Sequence, residues 1–145
     1  MKNAVLYMAA AVMLIFVACK KDKNAHPEDN APQPKNIANL QGEWKAVSFL
    51  TGNGGPVRWE PVTEQNHIAF SFNGLFTSTN MIFDTYDLEM VSGTWSGDTV
   101  LTLSKAAQPQ GQNGFFIINR LTKDTLVLSN GYCLDFCGTK YTRVK

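Results

Sequence analysis

From Ile37 onward the apolar residues recur at every second position in short runs, and each run ends in a turn signal. That pattern restricts the region to antiparallel strands. His67 to Phe72 shows it most cleanly, with Ile68, Phe70 and Phe72 on one face and His67, Ala69 and Ser71 on the other. Asn73-Gly74 follows, a pair that tolerates the positive φ of a two-residue hairpin turn. The spacing predicts that Leu75 to Asn80 returns alongside. Further strands are expected at Trp44–Leu50, Leu88–Ser96, Thr99–Ser104, Phe115–Leu121, Thr125–Ser129 and about Thr139–Val144. Only Ile37–Leu40 suits a helical turn. Eight strands joined mostly as sequential hairpins predict an up-and-down antiparallel meander. Closing that sheet removes its exposed edges, so the expected fold is a small all-β barrel.

The first eighteen residues carry a different signal. Lys2 supplies a positive charge, and Ala4 to Ala18 is an unbroken apolar run. Fifteen residues at about 1.5 Å each span roughly 22 Å, short of the ~30 Å hydrocarbon core. A signal peptide over residues 1–18 fits this length better than a permanent membrane helix. The run closes as Phe16-Val17-Ala18-Cys19, which resembles the lipobox of bacterial lipoproteins. The resemblance implies cleavage before Cys19, diacylglycerol and palmitate on that cysteine, and anchorage in the cell envelope. The outer membrane is the expected site, at its periplasmic face or at the cell surface.

Residues 19–36 then form the lipidated cysteine and a tether. Lys20 to Asn36 is polar and holds Pro27, Pro32 and Pro34. It has little apolar area to offset its ordering entropy, so it is expected to be flexible, with a reach of about 55–60 Å at full extension. Residues 37–145 make one domain, too short for two.

Charge and cysteine content narrow the function further. The chain has 13 basic and 12 acidic residues, so nothing draws it to a polyanion and nucleic acid is not an expected partner. With Cys19 assigned to lipid, Cys133 and Cys137 remain as an even pair, suited to a disulfide in an oxidising compartment, with free thiols the alternative. Only two histidines exist, His26 in the tether and His67 in the domain, so a metal site is not expected. Asp84, Asp87 and Glu89 are too loosely spaced for a calcium loop. No nucleophile motif accompanies His67, and nothing selects the acid pair Glu60 and Glu64. We therefore expect no catalytic residues, no enzyme activity and no cofactor.

Four stretches resemble the lipocalin-like domain of Bacteroidetes-type lipoproteins. They are Leu40-Gln41-Gly42-Glu43-Trp44, with its Gly-x-Trp; Phe72-Asn73-Gly74-Leu75-Phe76; Gly93 to Leu101 around Trp95; and Ile118 to Leu128 followed by Tyr141-Thr142-Arg143. Together they cover most of the domain. The resemblance implies that Trp44 of the first strand stacks under Arg143 of the last, closing one barrel end. It also implies a small hydrophobic or amphipathic ligand, carried beside the membrane to which the lipid holds the protein. Phe70, Phe72, Phe76, Leu101, Leu103, Phe116, Ile118, Leu126 and Leu128 are the side chains expected either to line a ligand pocket or to fill a solid core. The alternative function is a non-catalytic module that docks a protein or an envelope polymer. An exposed aromatic patch around Trp59 or Phe83 would mark that module, and the segment between the last two strands is expected to form one rim of the barrel, presenting Tyr132, Leu134 and Phe136 if that rim is a binding edge.

Overall fold

In the computed structural model, residues 30–52, 56–90, 98–106, 113–133 and 137–145 are described. Among them the chain forms one helical turn, α1 (Ile37–Leu40), and nine strands. The strands are β1 (Gly42–Thr51), β2 (Arg58–Pro61), β3 (His67–Phe70), β4 (Phe76–Ser78), β5 (Thr85–Met90), β6 (Thr99–Ser104), β7 (Gly114–Leu121), β8 (Thr125–Asn130) and β9 (Gly138–Arg143). Every pairing is antiparallel, in the order β4-β3-β1-β9-β8-β7-β6-β5. The two ends of that ladder meet at a bridge between Leu75 and Thr85, where Phe76 N–H donates to Asp84 O and Tyr86 N–H to Gly74 O, both at 2.9 Å. The sheet is thus a nearly closed eight-stranded barrel, with β2 paired to the far half of β1 as a ninth strand.

Two bulges decide which side chains enter the barrel. In β1 the pairing with β9 shifts between Ala46 and Ser48, so Val47 is the extra residue. An extra residue reverses the alternation beyond it. Trp44 and Ala46 point inward before the bulge, and Phe49 points inward after it, opposite Thr139. The second bulge, at Asn119 in β7, lets both Ile118 and Leu121 reach the interior although they are three residues apart.

The core fills the barrel from the α1 end. Leu40, Trp44, Ile68, Leu101, Leu103, Ile118, Leu121 and Leu126 are all at most 2% exposed. Phe70, Phe76, Leu128 and Tyr141 complete this packing, and Phe70 meets Phe76 and Tyr86 at ring separations of 5.3 and 5.1 Å.

Several sequence expectations shift in register. β3 ends at Phe70, and the connection to β4 spans Ser71 to Leu75. There Ser71 N–H donates to Leu75 O, Gly74 N–H donates to Ser71 O, and Gly74 takes φ +79°. This is the three-residue hairpin with a left-handed glycine, not the two-residue Asn-Gly turn. Phe72 therefore sits at the tip of the turn, 77% exposed, and neither fills the core nor lines a pocket. β5 starts at Thr85, three residues before the expected Leu88. β2 was not anticipated, because Arg58-Trp59-Glu60-Pro61 is short and ends in proline. The last part of the expected tether lies against the barrel: Gln33 N–H donates to Leu121 O at 2.8 Å, Arg120 Nη2 to Asn30 O at 3.3 Å, and Asn36 Oδ1 caps α1 by accepting from Asn39 N–H. Cys19 with the signal segment, residues 91–97 including Trp95, and Leu134 and Phe136 lie outside the described residues.

Candidate functional site

The two ends of the barrel differ in construction. At the α1 end, Trp44 and Arg143 face each other across β1 and β9, and the Arg143 guanidinium carbon lies 4.0 Å from the Trp44 ring centre. Trp44 Nε1 donates to Leu40 O at 2.8 Å. Arg143 donates to three carbonyls: Lys123 O at 2.6 Å, Asn39 O at 2.7 Å, and Gln41 O. One side chain thereby ties α1, the β7–β8 turn and the ends of β1 and β9 together. Burial pulls the Arg143 pKa down, and the nearby Asp124 carboxylate partly opposes it. Gly42 adopts φ +110°, and a Cβ there would stand 2.9 Å from Arg143 Nη1. The glycine of Gly42-Glu43-Trp44 is explained by that close approach and that backbone angle. This end is sealed.

The opposite end is open. The far half of β1, the start of β7, the end of β8 and the start of β9 surround a concavity of about 380 Å3. Phe49, Met81, Phe116 and Leu128 supply apolar wall, and Asn66, Asn130, Thr139 and Tyr141 supply polar atoms. Tyr141 forms the floor. It pairs with Ala46 on β1 and Leu126 on β8 and is only 3% exposed. Burial pushes the Tyr141 hydroxyl up to about 12, with a Thr139 hydrogen bond acting the other way, so the phenol is neutral across the physiological range. A cavity of this volume is within the range of small-ligand sites, which combine apolar walls with a few polar groups.

Of the nine side chains expected to line a pocket or fill a core, two reach this mouth, Phe116 and Leu128. Phe70, Phe76, Leu101, Leu103, Ile118 and Leu126 are packed solidly beneath it, and Phe72 is outside. The barrel is therefore part solid core and part open cup. Sequence periodicity missed Phe49, because strict alternation from Trp44 puts it on the outer face until the Val47 bulge reverses it. Asn66 and Met81 were missed because they lie in connections, where no alternation applies.

Around the mouth stand several exposed apolar groups. Phe49 and Trp59 are 40% and 45% exposed, and Trp59 pairs with Leu50 and lies over Gly138 on the outer wall. Tyr132 is exposed and meets the Phe115 ring edge-on at 5.4 Å. Phe83, by contrast, packs against the core. The Cys133–Cys137 disulfide closes the connection between β8 and β9 at this end, with Cα atoms 5.9 Å apart. Cys137 O accepts from Asn130 N–H at 3.0 Å, which links the bridge to the mouth.

The polar groups named in the sequence fall elsewhere. His67 Nδ1 lies 2.7 Å from Glu43 Oε1 on the outer wall, beside a shallow groove with Thr77 and Thr79. Glu60 is paired with Arg58 at 2.8 Å. Asp84 Oδ1 accepts from Ala106 N–H, and Asp87 Oδ1 from Leu88 N–H. Among the described residues no three His, Cys, Asp or Glu side chains gather where they could hold a metal. Comparison with protein-family models, curated proteins and solved structures returned no match to this chain.

Proposed function

We propose that this chain is an envelope-anchored, lipocalin-like lipoprotein that takes a small apolar or amphipathic ligand into the open end of its barrel. One observation carries the ligand reading: the barrel is sealed by Trp44 and Arg143 at one end, yet opens at the other into an apolar cup of about 380 Å3 with polar atoms at its floor and rim. A barrel that needed only to be stable would gain by filling that volume, because cavities forfeit contact energy. The anchor reading rests on the apolar run and the Ala18-Cys19 junction, and the family reading on the four motif stretches.

The test uses protein purified from its own host. Native mass spectrometry is expected to show a lipid increment on Cys19 and a separate noncovalent adduct that organic extraction removes. Phe116→Asp should lower adduct occupancy and leave the Cys19 increment. A folded protein with no adduct under any gentle condition overturns the ligand reading. A Cys19→Ser protein that is cleaved and still fractionates with membranes overturns the anchor reading.

A second reading, a module that docks a protein or an envelope polymer, is favoured by one feature, the exposed Trp59 on the outer wall of β2. Under that reading Trp59→Ala abolishes partner capture and leaves adduct occupancy unchanged.

A further inference from the structure

The chemistry of the mouth specifies what kind of head group it accepts, an inference that rests on the ligand reading above. The side chains that line the mouth among the described residues include no charged group. The nearest ion pair on β2, Arg58 with Glu60, is closed on itself at 2.8 Å. A carboxylate or ammonium entering the cup therefore loses hydration and meets no counter-ion among the described lining residues. The Tyr141 hydroxyl at the floor is neutral.

Hydrogen-bonding capacity narrows the choice further. Asn130 Oδ1 accepts from Tyr132 N–H at 2.9 Å, which fixes the orientation of that amide, and Asn130 O accepts from Cys133 N–H. Asn66 Oδ1 accepts from Thr79 Oγ1 at 3.3 Å, and Asn66 O from Ala46 N–H at 2.8 Å. Each side-chain oxygen of the two asparagines thus already accepts one hydrogen bond. Their Nδ2 groups have no acceptor among the described residues, and each carries two N–H donors. The mouth thus offers a ligand unengaged amide donors beside neutral oxygens, with no charged side chain among the described lining residues.

We infer that the mouth selects an uncharged oxygen acceptor at the head of an apolar chain, such as an ester or amide carbonyl, over a carboxylate or ammonium of the same length. An ester carbonyl takes a hydrogen bond from Asn130 Nδ2 or Asn66 Nδ2 and brings no charge out of water. An ammonium brings its charge out of water and meets only neutral oxygens among the described lining residues. A carboxylate has acceptors and meets no cation among the described lining residues. A plain alkane leaves both amides unpaired where the ligand has displaced their water.

The experiment is displacement of the fluorescent probe N-phenyl-1-naphthylamine from the exported full-length Cys19→Ser chain, which has no acyl anchor to compete for the probe. Methyl decanoate, decanoate, decylamine and decane are the competitors at pH 8. Methyl decanoate is expected to displace the probe at about tenfold lower concentration than each of the others, the difference of roughly one hydrogen bond. Asn66→Leu combined with Asn130→Leu should erase the ester's advantage over decane and keep probe binding, and either single variant should reduce that advantage if the double variant does not fold. Decanoate or decylamine displacing as well as the ester overturns the inference, as does decane matching it. If the probe does not bind at all, the ligand reading fails first and the head-group inference fails with it.

Discussion

Replacing Arg143 by alanine should destabilise the domain more than a surface arginine of ordinary kind, and the structure sets the scale. The substitution removes a stack on Trp44 at 4.0 Å, worth about 1–2 kcal/mol for a partly desolvated cation. It also removes three charge-assisted bonds to Asn39 O, Gln41 O and Lys123 O. Water can replace these in part, because the Lys123 contact is exposed, so a net 1–2 kcal/mol is a fair sum for them. The expected cost is then about 2–4 kcal/mol. Trp44 is fully buried, and Trp44→Ala should cost about 3–5 kcal/mol through lost transfer energy and a cavity. The stack is the one term the two residues share, so a double-mutant cycle should give a coupling of about 1–2 kcal/mol. Arg143→Lys keeps the charge and loses the planar fork, and should recover less than half of the loss. Denaturant titration followed by far-ultraviolet circular dichroism measures all four variants without relying on Trp44 emission. Strict additivity of Trp44→Ala and Arg143→Ala would refute the closure argument.

The other predictions concern the mouth and the corrected turn. Replacing Cys133 and Cys137 together by serine opens a loop so short that the chain-entropy term is about 2 kcal/mol. Thermal melting should fall by roughly 10 °C, with the spectrum still β-rich at room temperature. Tyr141 is pushed up to about 12 from an ordinary 10 by burial. A raised folded-state value means the unfolded chain ionises first, so this stability is whole below pH 10 and is lost as pH rises from 10 to 12. The total is on the order of 2–3 kcal/mol. Tyrosinate absorbance should show one group titrating only with unfolding, and Tyr141→Phe should remove that alkaline loss. Phe72→Ser should change stability by less than about 0.5 kcal/mol, as at ordinary surface positions, whereas Phe76→Ala should cost about 3–5 kcal/mol. Equal costs in urea titration would show that Phe72 is buried after all.

Sequence alone was enough for the class of fold, and the reason is local. Two-residue alternation and turn residues are properties of a few neighbouring positions, so seven of the eight expected strands overlap their counterparts closely. The eighth, expected from Leu88, shares only its first residues with β5, the rest lying outside the described residues. The pairing of Trp44 with Arg143 came from the family resemblance, through Gly42-x-Trp44 in the first strand and Arg143 in the last, and not from periodicity or spacing. The tertiary structure alone decided which side chains face the mouth. A bulge at Val47 and another at Asn119 depend on how two strands fit together, and each reverses the parity that periodicity assumes. The Ser71–Leu75 connection chose a three-residue turn over a two-residue one and thereby moved Phe72 from the interior to the surface. Asn66, Asn130 and Tyr141 come from separate stretches of chain, with no spacing that ties them to one another. They become a floor and rim only because closing the barrel brings β1, β8 and β9 side by side.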